Sequence, residues 1–372
     1  MKKQMSGLAL AICMGLTVTA CGSAPEEPAG TPVSEGAGET PEAAQPSEAA
    51  SPSGTVKIGV SFATLQEPRW QSDADFMQKK AEELGAELLI QSANSDAQLQ
   101  NSQCENLITQ GIDALIVIAQ DGSTAGAIVE SAHEAGIKVI ACDRLINDAE
   151  LDYYTSFDCF QAGVIQGQYA LDHAPTGNYF LIGGSPTDNN AHLMREGQLS
   201  VLQPHIDSGE IKVVVDQWCD GWSAEAALKY VEDGLSNNND DVACVLTSND
   251  DTAGAAIQAL AEKGLADKVV VTGLDATLAA CQRIVEGTQD MSVYRKFSLE
   301  DECAVELAYL CATGKDPAEV YELEMTNNGL VDVPSVLLTD EKYMYAATEE
   351  RMKDIIADGW LAEEDIYKNV NQ

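Results

Sequence analysis

The chain has 372 residues, of which 45% are hydrophobic and 22% charged, and its formal net charge is −39 at neutral pH. An acidic balance of this size repels nucleic-acid phosphates and anionic lipid headgroups, so it argues against DNA- and RNA-binding proteins. We interpret the charge as a source of solubility.

The first twenty residues have the pattern of a secretory signal peptide. Met1–Lys3 supplies a short positive segment, and residues 5–20 carry no charge. This run is shorter than the roughly 20 residues that a membrane-spanning helix needs. It ends in Val18–Cys21, which resembles the lipobox of bacterial lipoproteins. The resemblance implies cleavage before Cys21 and attachment of a lipid to its thiol, and the alternative is an ordinary signal peptide with a chance cysteine.

Residues 22–54 are predicted to form a disordered tether. The segment contains no aromatic residue, no Lys and no Arg, and consists of Gly, Ser, Ala, Pro, Thr, Val, Gln and Glu. Such a composition cannot bury enough apolar surface to offset the entropy of ordering, and its like charges extend it. We therefore expect residues 55–372 to work at the extracytoplasmic face of the cell membrane, with the lipid anchor as the only membrane contact.

Residues 55–372 alternate short apolar runs with amphipathic stretches. The predicted strands are Val56–Ala63, Glu87–Gln91, Ala114–Ile118, Lys138–Ala141, Tyr153–Ser156, Asn178–Leu181, Lys212–Val215, Val242–Leu246, Val269–Thr272 and Ser292–Tyr294. Helical patterns between them include Asp73–Leu84, Asn101–Gln110, Thr124–Glu134, Ala162–Leu171, Ala224–Asp233 and Thr252–Ala261. Continuous apolar strands alternating with helices are typical of parallel sheets covered on both faces, so we predict an α/β fold.

Eight cysteines lie in this folded part: Cys104, Cys142, Cys159, Cys219, Cys244, Cys281, Cys303 and Cys311. An even number in an exported protein permits a disulfide framework. Most of them, however, lie in apolar strands or helical patterns, and no CxxC pair occurs. We therefore expect mostly free, buried thiols and no zinc or other metal site.

Polar and aromatic side chains recur just past the predicted strands, where open α/β sheets bind their ligands. They include Arg69, Trp70, Asp143, Arg144, Asp158, Asp188, Asn190, Trp218, Asn249, Asp250, Asp275 and Arg295. Indole faces pack on the C–H face of a sugar ring, and planar Asp, Asn and Arg groups bridge neighbouring hydroxyls. The alternative for single Asp and Asn residues is helix capping, which does not apply to Trp or Arg. Trp222 is interpreted as a packing residue at the edge of its loop, and Trp360 lies near the C-terminus.

Seven segments of the chain match a known family. They are Glu67–Gln71, Gln91–Asn94, Asp143–Ala149, Gly177–Asn190, Asp216–Trp218, Ser248–Asp250 and Gly287–Gln289. These segments resemble the D-xylose-binding proteins of ABC importers, which are type I periplasmic binding proteins. Val333–Leu338 looks more like the related branch that binds several monosaccharides. The resemblance implies two doubly wound parallel-sheet lobes with a hinge and a central ligand cleft.

The resemblance also implies lobe boundaries and site residues. The N-terminal lobe is expected over residues 55–161 and about 296–332, and the C-terminal lobe over 162–295 and about 333–372. The expected sugar-binding residues are Arg69, Trp70, Asp143, Arg144, Asn190, Trp218, Asn249, Asp275 and Arg295, with the indoles of Trp70 and Trp218 on the two faces of the ring. Xylose binders tend to carry Lys at the positions of Ser72 and Arg295. Because Arg does not replace Lys neutrally, the identity of the sugar stays open.

We therefore expect a monomeric binding protein without a cofactor that delivers a monosaccharide to an ABC permease and ATPase. D-xylose is the leading candidate, and glucose, galactose and arabinose are alternatives. An enzyme is disfavoured because the sequence has no HExxH, Walker or GxSxG motif. A sugar sensor feeding a membrane kinase is a further alternative, whereas a LacI-type repressor would need a basic DNA-binding head in place of the lipoprotein signal.

Overall fold

The structure, a computed structural model, describes residues 54–340 and 342–370; the expected signal peptide, Cys21 and nearly all of the tether lie outside them. The strands are β1 Lys57–Phe62, β2 Glu87–Ser92, β3 Ala114–Val117, β4 Lys138–Cys142, β5 Tyr153–Phe157, β6 Gly177–Gly183, β7 Ile211–Trp218, β8 Cys244–Thr247, β9 Val270–Val271, β10 Ser292–Arg295, β11 Glu324–Asn327, β12 Asp332–Leu338 and β13 Met344–Ala347. The helices are α1 Pro68–Leu84, α2 Ala97–Thr109, α3 Gly126–Glu134, α4 Cys159–His173, α5 Asn189–Ser208, α6 Ala224–Asn237, α7 Asp250–Glu262, α8 Leu278–Glu286, α9 Phe297–Ala312, α10 Met352–Ala357 and α11 Glu363–Ile366.

Every predicted strand and helical pattern overlaps an observed element. Several observed elements were not predicted, and two of them have a sequence reason. Helix α5 contains Pro204, which normally interrupts a helical pattern. Strand β11 is largely exposed and therefore lacks an apolar run.

The N-terminal lobe is built on a seven-stranded sheet in the order β11-β12-β5-β4-β3-β1-β2. All neighbours are parallel except β11 and β12, which are antiparallel. Both faces are covered. Leu115 of β3 packs with Leu107 of α2 on one side, and Ile116 packs with Met77 of α1 and Leu307 of α9 on the other. Burial on both faces explains why the strands are continuously apolar.

The C-terminal lobe contains a parallel four-stranded sheet, β7-β6-β8-β9, and the antiparallel pair β10-β13. A parallel bridge between Leu274 and Val293 connects the two sheets. Phe180 of β6 packs toward α6 and α7, whereas Leu181 packs toward α4 and α5. The lobe is thus also doubly wound, and the predicted two-lobed α/β fold is confirmed.

Helices α4 and α5 pack unusually closely through glycines. A Cβ added at Gly163 would lie 2.0 Å from the carbonyl oxygen of Met194, and one added at Gly197 would lie 2.0 Å from that of Phe160. No other residue fits at either position without moving a backbone. The contact brings the early turns of the two helices together next to the cleft.

The chain passes between the lobes three times, after β5, after β10 and after β12. The expected assignment of residues 333–372 to the C-terminal lobe is wrong at its start, because β12 pairs in parallel with β5 in the seven-stranded sheet. Val333 and Val336 are buried in the N-terminal core, which explains the placement. The first boundary also moves from residue 161 to about 158, since α4 begins at Cys159 and packs on α5.

The eight cysteines of the folded part are free thiols, seven of them buried and Cys311 partly buried. Burial raises the pKa of the Cys104 and Cys219 thiols to about 11. Such thiols stay protonated and pack as small hydrophobic groups. In the described ranges, no helix combines the length and hydrophobicity that crossing a membrane requires.

Candidate functional site

A cavity lies between the lobes, beyond the carboxyl ends of the parallel strands. Its lining consists of Glu67, Arg69, Trp70, Asp143, Arg144, Cys159, Asp188, Asn190, Met194, Trp222, Asn249, Leu274, Asp275 and Arg295. Eight of the nine residues predicted to bind a ligand are in this set. The exception is Trp218.

Asp143 is the residue on which the two lobes converge. Its Oδ2 accepts a hydrogen bond from Arg69 Nη2 at 2.6 Å, in the N-terminal lobe. From the C-terminal lobe, Asn190 Nδ2 donates to Asp143 Oδ1 at 3.1 Å, and Arg295 Nη1 lies 3.6 Å from Oδ2. Burial raises the pKa of Asp143, but the guanidinium groups of Arg69 and Arg295 outweigh it and lower the pKa to about 2. The carboxylate is therefore ionised and is a hydrogen-bond acceptor at neutral pH.

Two carboxylates of the site are held by strained backbone. Asp143 has φ = 61° and Asp275 has φ = 99°, both in the left-handed region that residues with a Cβ avoid. Tyr154 Oη and Ser156 Oγ each donate to the carbonyl oxygen of Asp143 at 3.0 Å. The backbone N–H of Asp275 donates to Val293 O at 2.9 Å. These bonds stabilise conformations that aim both carboxylates into the cavity.

Arg69, in the first turn of α1, organises the floor of the site. Its guanidinium carbon lies 4.0 Å from the ring centroid of Trp70. Its nitrogens lie within 4 Å of four carboxylates, those of Asp73, Asp143, Asp275 and Glu300. Only the planar, multiply donating guanidinium can serve this many acceptors while stacking on an indole. Arg69 therefore fixes Trp70 and joins N-terminal carboxylates to Asp275 of the other lobe.

An ion pair crosses the cleft between Arg144 and Asp188. Arg144 Nε lies 3.0 Å from Asp188 Oδ2, and both side chains are buried. Trp222 Nε1 donates to the same oxygen at 3.0 Å, and the other oxygen of Asp188 accepts from the backbone N–H of Asn190 at 3.0 Å. Asp188 thus caps α5, orients Trp222 and holds the lobes together. It stands directly after β6, and that position was the sequence signal for it.

Trp218, which the sequence analysis places among the sugar-binding residues, does not line the cavity. Its ring packs instead on the Arg195 guanidinium and the His192 ring, each at 4.8 Å. Trp222, interpreted from sequence as a packing residue, lines the cavity in its place. The short helical turn Asp220–Trp222 carries this indole over Gly184, where an added Cβ would lie 2.3 Å from the ring. Gly183 likewise lies close to the Trp218 ring, at 2.8 Å for an added Cβ, so the glycines do not tell from sequence which tryptophan lines the cavity.

The remaining predicted residues have both structural and site roles. Asn249 caps α7 by accepting from Thr252 N at 3.1 Å, and it also lines the cavity. Arg295, at the end of β10, donates to Asp275 Oδ1 at 3.1 Å. Ser72 and Arg295 are the two positions at which xylose binders tend to carry Lys. Ser72 is not part of the cavity lining, so only the difference at Arg295 lies in the site.

Sequence reasoning missed four further lining residues besides Trp222, namely Glu67, Cys159, Met194 and Leu274, and it noted Asp188 as a polar residue past a strand without including it in the predicted sugar-binding set. Cys159, Met194 and Leu274 provide apolar contact area. Burial raises the pKa of Glu67 to about 7, so this residue adds a carboxyl that is only partly ionised at neutral pH. Apolar residues in a cavity have no pattern that separates them from core residues, which explains why Cys159, Met194 and Leu274 were missed.

Several polar atoms of the lining are buried without a hydrogen-bond partner in the described part of the chain. They are Trp70 Nε1, Asn190 Oδ1 and Arg295 Nε. Leaving such atoms unpaired costs about 1–3 kcal/mol each. Within residues 54–340 and 342–370, no group of three or more His, Cys, Asp or Glu side chains is arranged to hold a metal ion. The site is therefore suited to a small ligand with several hydroxyl groups and an apolar face.

Comparison with known proteins decides the family. The family model described as "Periplasmic binding protein domain" matches residues 58–316. The chain belongs to this family. It is 47% identical over 312 residues to the D-xylose-binding periplasmic protein of Escherichia coli, covering 84% of this chain and 92% of the relative. It is 34% identical over 304 residues to a multiple sugar-binding periplasmic receptor of Rhizobium radiobacter, covering 76% and 85%.

Solved structures of periplasmic binding proteins have the same fold. A solute-binding protein of an ABC transporter from Clostridium phytofermentans, with bound β-D-glucose, has a TM-score of 0.76 at 28% identity and covers 83% of this chain and 99% of its own. A carbohydrate transporter solute-binding protein from Chloroflexus aurantiacus, in complex with D-glucose, has a TM-score of 0.74 at 30% identity, with coverage of 83% and 97%. These relatives are extracytoplasmic binding proteins, so the predictions of an extracytoplasmic location and of a protein that is not an enzyme are confirmed.

Proposed function

We propose that this periplasmic binding protein captures a monosaccharide, with D-xylose as its preferred ligand, and delivers it to an ABC importer. The observation that carries the proposal is the cavity between the lobes, where the indoles of Trp70 and Trp222 lie among charged and amide side chains. Indoles cover the apolar face of a sugar ring, and Asp, Asn and Arg groups bind its hydroxyls. The buried, unpaired polar atoms of Trp70, Asn190 and Arg295 are the sites at which a hydrogen bond to a ligand hydroxyl stabilises the complex most.

D-xylose is favoured over other sugars by the similarity to D-xylose-binding relatives, which is higher than to the multiple-sugar receptor. Arg295 is the residue that modulates this choice. It is 2% exposed, and one of its nitrogens binds Asp275 while Nε is unpaired. A guanidinium presents donors in a rigid plane, so the arrangement of hydroxyls around it sets which sugars bind well.

Hinge closure follows from the way the site is divided. Asp143 and Arg144 belong to the N-terminal lobe, whereas Asn190, Asp188 and Arg295 contact them from the C-terminal lobe. A ligand that binds the residues of both lobes at once favours the closed arrangement, because each separated lobe offers only its own part of the ligand contacts. The three crossovers after β5, β10 and β12 form the hinge for this motion.

The proposal includes attachment to the membrane and transfer to a transporter. Lipidation at Cys21 and the tether that follows would keep a monomeric binding protein at the extracytoplasmic face, within reach of the permease and its ATPase. Cys21→Ala is expected to release the protein from the membrane fraction into the soluble fraction. Retention of the variant in the membrane fraction would refute the anchor without affecting the sugar proposal.

Isothermal titration calorimetry with a panel of sugars tests the binding function. We expect purified full-length protein to bind D-xylose with a Kd near micromolar, equivalent to about −8 kcal/mol, and to bind D-glucose, D-galactose and L-arabinose more weakly. Tighter binding of one of the other three would overturn the assignment of D-xylose. No heat with any common monosaccharide would overturn sugar binding itself.

A further inference from the structure

The side chain of Trp360, near the end of the described chain, contacts both lobes. Its ring centroid lies 6.2 Å from that of Phe76 on α1, with the rings stacked, and 5.4 Å from that of Phe297 on α9, both in the N-terminal lobe. It lies 6.5 Å from the ring of Tyr294 on β10, and its Nε1 donates to Ala276 O at 2.8 Å, both in the C-terminal lobe. Tyr294 and Phe297 flank the second crossover, so Trp360 lies at the hinge.

One connection from Trp360 to the cavity passes through the turn at Asp275 and Ala276. Both residues have positive φ, 99° and 44°. The carbonyl oxygen of Ala276 accepts from Trp360 Nε1, and the backbone N–H of Ala276 donates to Ser292 Oγ at 2.9 Å. A turn with two strained residues keeps its shape only while its surroundings hold it. The indole N–H therefore helps to aim the Asp275 carboxylate at Arg295.

The other connection passes through Phe297. The guanidinium carbon of Arg69 lies 4.3 Å from the centre of the Phe297 ring, and that of Arg295 lies 5.0 Å from it. The ring thus contacts Trp360 and two of the three arginines that line the cavity, Arg69 and Arg295. Packing by Trp360 limits the freedom of this ring, and so limits the positions of both guanidinium groups.

The segment around Trp360 is itself anchored at the crossover. The carboxylate of Asp358 accepts from Tyr294 Oη and forms an ion pair with Lys296 Nζ. Lys296 is the residue directly between β10 and α9. The C-terminal segment is therefore fixed to the hinge independently of the indole, so changes at Trp360 need not detach it.

We propose that Trp360 is a positioning residue for the ligand site: without touching the cavity, it holds the Asp275–Ala276 turn and the Phe297 ring in the geometry that binding requires. The identity of the ligand in this proposal rests on the proposed function. The contacts of Trp360 are observed in the structure and do not depend on that function.

The test uses Trp360→Phe, which keeps an aromatic ring and removes the N–H donor. Trp218→Phe is the matched control, since Trp218 lies outside the cavity lining and away from Ala276. Calorimetry with D-xylose should give a Kd roughly three- to tenfold weaker for Trp360→Phe, the effect of one lost hydrogen bond, and an unchanged Kd for Trp218→Phe. An unchanged Kd for Trp360→Phe would overturn the proposal.

A double-mutant cycle with Asp275→Asn separates positioning from general destabilisation. If Trp360 acts through Asp275, Trp360→Phe should weaken D-xylose binding less in the Asp275→Asn background than in the wild type. The same factor in both backgrounds would exclude coupling to Asp275 and would overturn the role proposed for the Asp275–Ala276 turn. Because Asp275→Asn is expected to bind D-xylose weakly, its titrations use a higher sugar concentration, so that its Kd and that of the double variant can both be measured.

Hydrogen exchange tests the inference without any sugar. In Trp360→Phe, backbone amides of residues 275–277 should exchange faster than in the wild type, while amides of the distant strand β3 stay unchanged. Equal exchange of residues 275–277 in both proteins would overturn the proposal. If the wild type binds no monosaccharide, the proposed function fails, and this measurement alone decides the role of Trp360.

Discussion

The two faces of the cavity are ordered in different ways. On the N-terminal face, Arg69 is held by a buried group of carboxylates that includes Asp73 and Glu300, both about 1% exposed. On the C-terminal face, the polar residues are tied to helix starts: Asp188 caps α5 and Asn249 caps α7. Charge pairing thus organises the N-terminal face, whereas helix capping organises the C-terminal face. The comparison predicts that the N-terminal face contributes more to affinity and is more sensitive to pH.

The largest effect is expected from Asp143→Ala. This change removes a carboxylate that accepts from Arg69 and Asn190, and it leaves the buried positive charges of Arg69 and Arg295 less compensated. Calorimetry should show a loss of affinity for D-xylose of about a hundredfold or more, as for other buried charged hydrogen bonds. The fold should persist, because Arg69 retains its other carboxylates.

The exposed residue Asp172 provides the control for Asp143. Asp172→Ala should leave both affinity and the thermal midpoint of unfolding unchanged. Unchanged affinity in Asp143→Ala would remove this residue from the site. A collapse of the thermal midpoint in that variant would instead make Asp143 a structural residue.

A smaller effect is expected from Trp222→Ala on the C-terminal face. The indole lines the cavity and is held by Asp188, so its removal should weaken binding by about thirtyfold, near 2 kcal/mol. Trp218→Ala should change affinity by no more than about twofold, since that ring packs on Arg195 outside the lining. The reverse ranking, measured by calorimetry, would restore the assignment made from sequence.

The sequence predicted the parts of this site that have local signals. Arg69, Asp143 and Arg144 follow apolar strands, and the carboxyl ends of such strands must face the cleft. The choice between Trp218 and Trp222 depended on a turn of a few residues and on Gly184, which is 38 residues from Trp222 along the chain. No local pattern encodes that approach.

Long-range contacts also explain the other differences. The hydrogen bond between Arg69 and Glu300 joins residues 231 positions apart, and Glu300 lies inside a helix where it resembles an ordinary surface residue. The third crossover was misplaced because β12 and β13 are both short apolar strands. Only pairing with β5 shows that β12 belongs to the N-terminal lobe.

The smallest expected effect, the pH dependence of stability, compares the two faces directly. Burial raises the pKa of Glu300 from 4.5 to about 8 and that of Asp73 from 3.8 to about 7, and it raises the pKa of Asp301 strongly. On the C-terminal side, burial likewise raises the pKa of Asp250 from 3.8 to about 7. Between the unfolded and folded pKa values, each group is protonated in the native state and ionised in the unfolded state. The native state then binds more protons, so the free energy of unfolding falls as the pH rises through this window.

The thermal midpoint should therefore fall between about pH 5 and about pH 9, measured by circular dichroism. Glu300→Gln keeps the neutral shape of the protonated side chain and should make this fall less steep. Asp250→Asn should do so to a smaller extent, because burial raises the pKa of Asp250 only to about 7, against about 8 for Glu300. The exposed Glu324→Gln should retain the wild-type slope. A flatter profile in Asp250→Asn than in Glu300→Gln would show that the buried charge of the C-terminal lobe, not that of the N-terminal lobe, governs the response to pH.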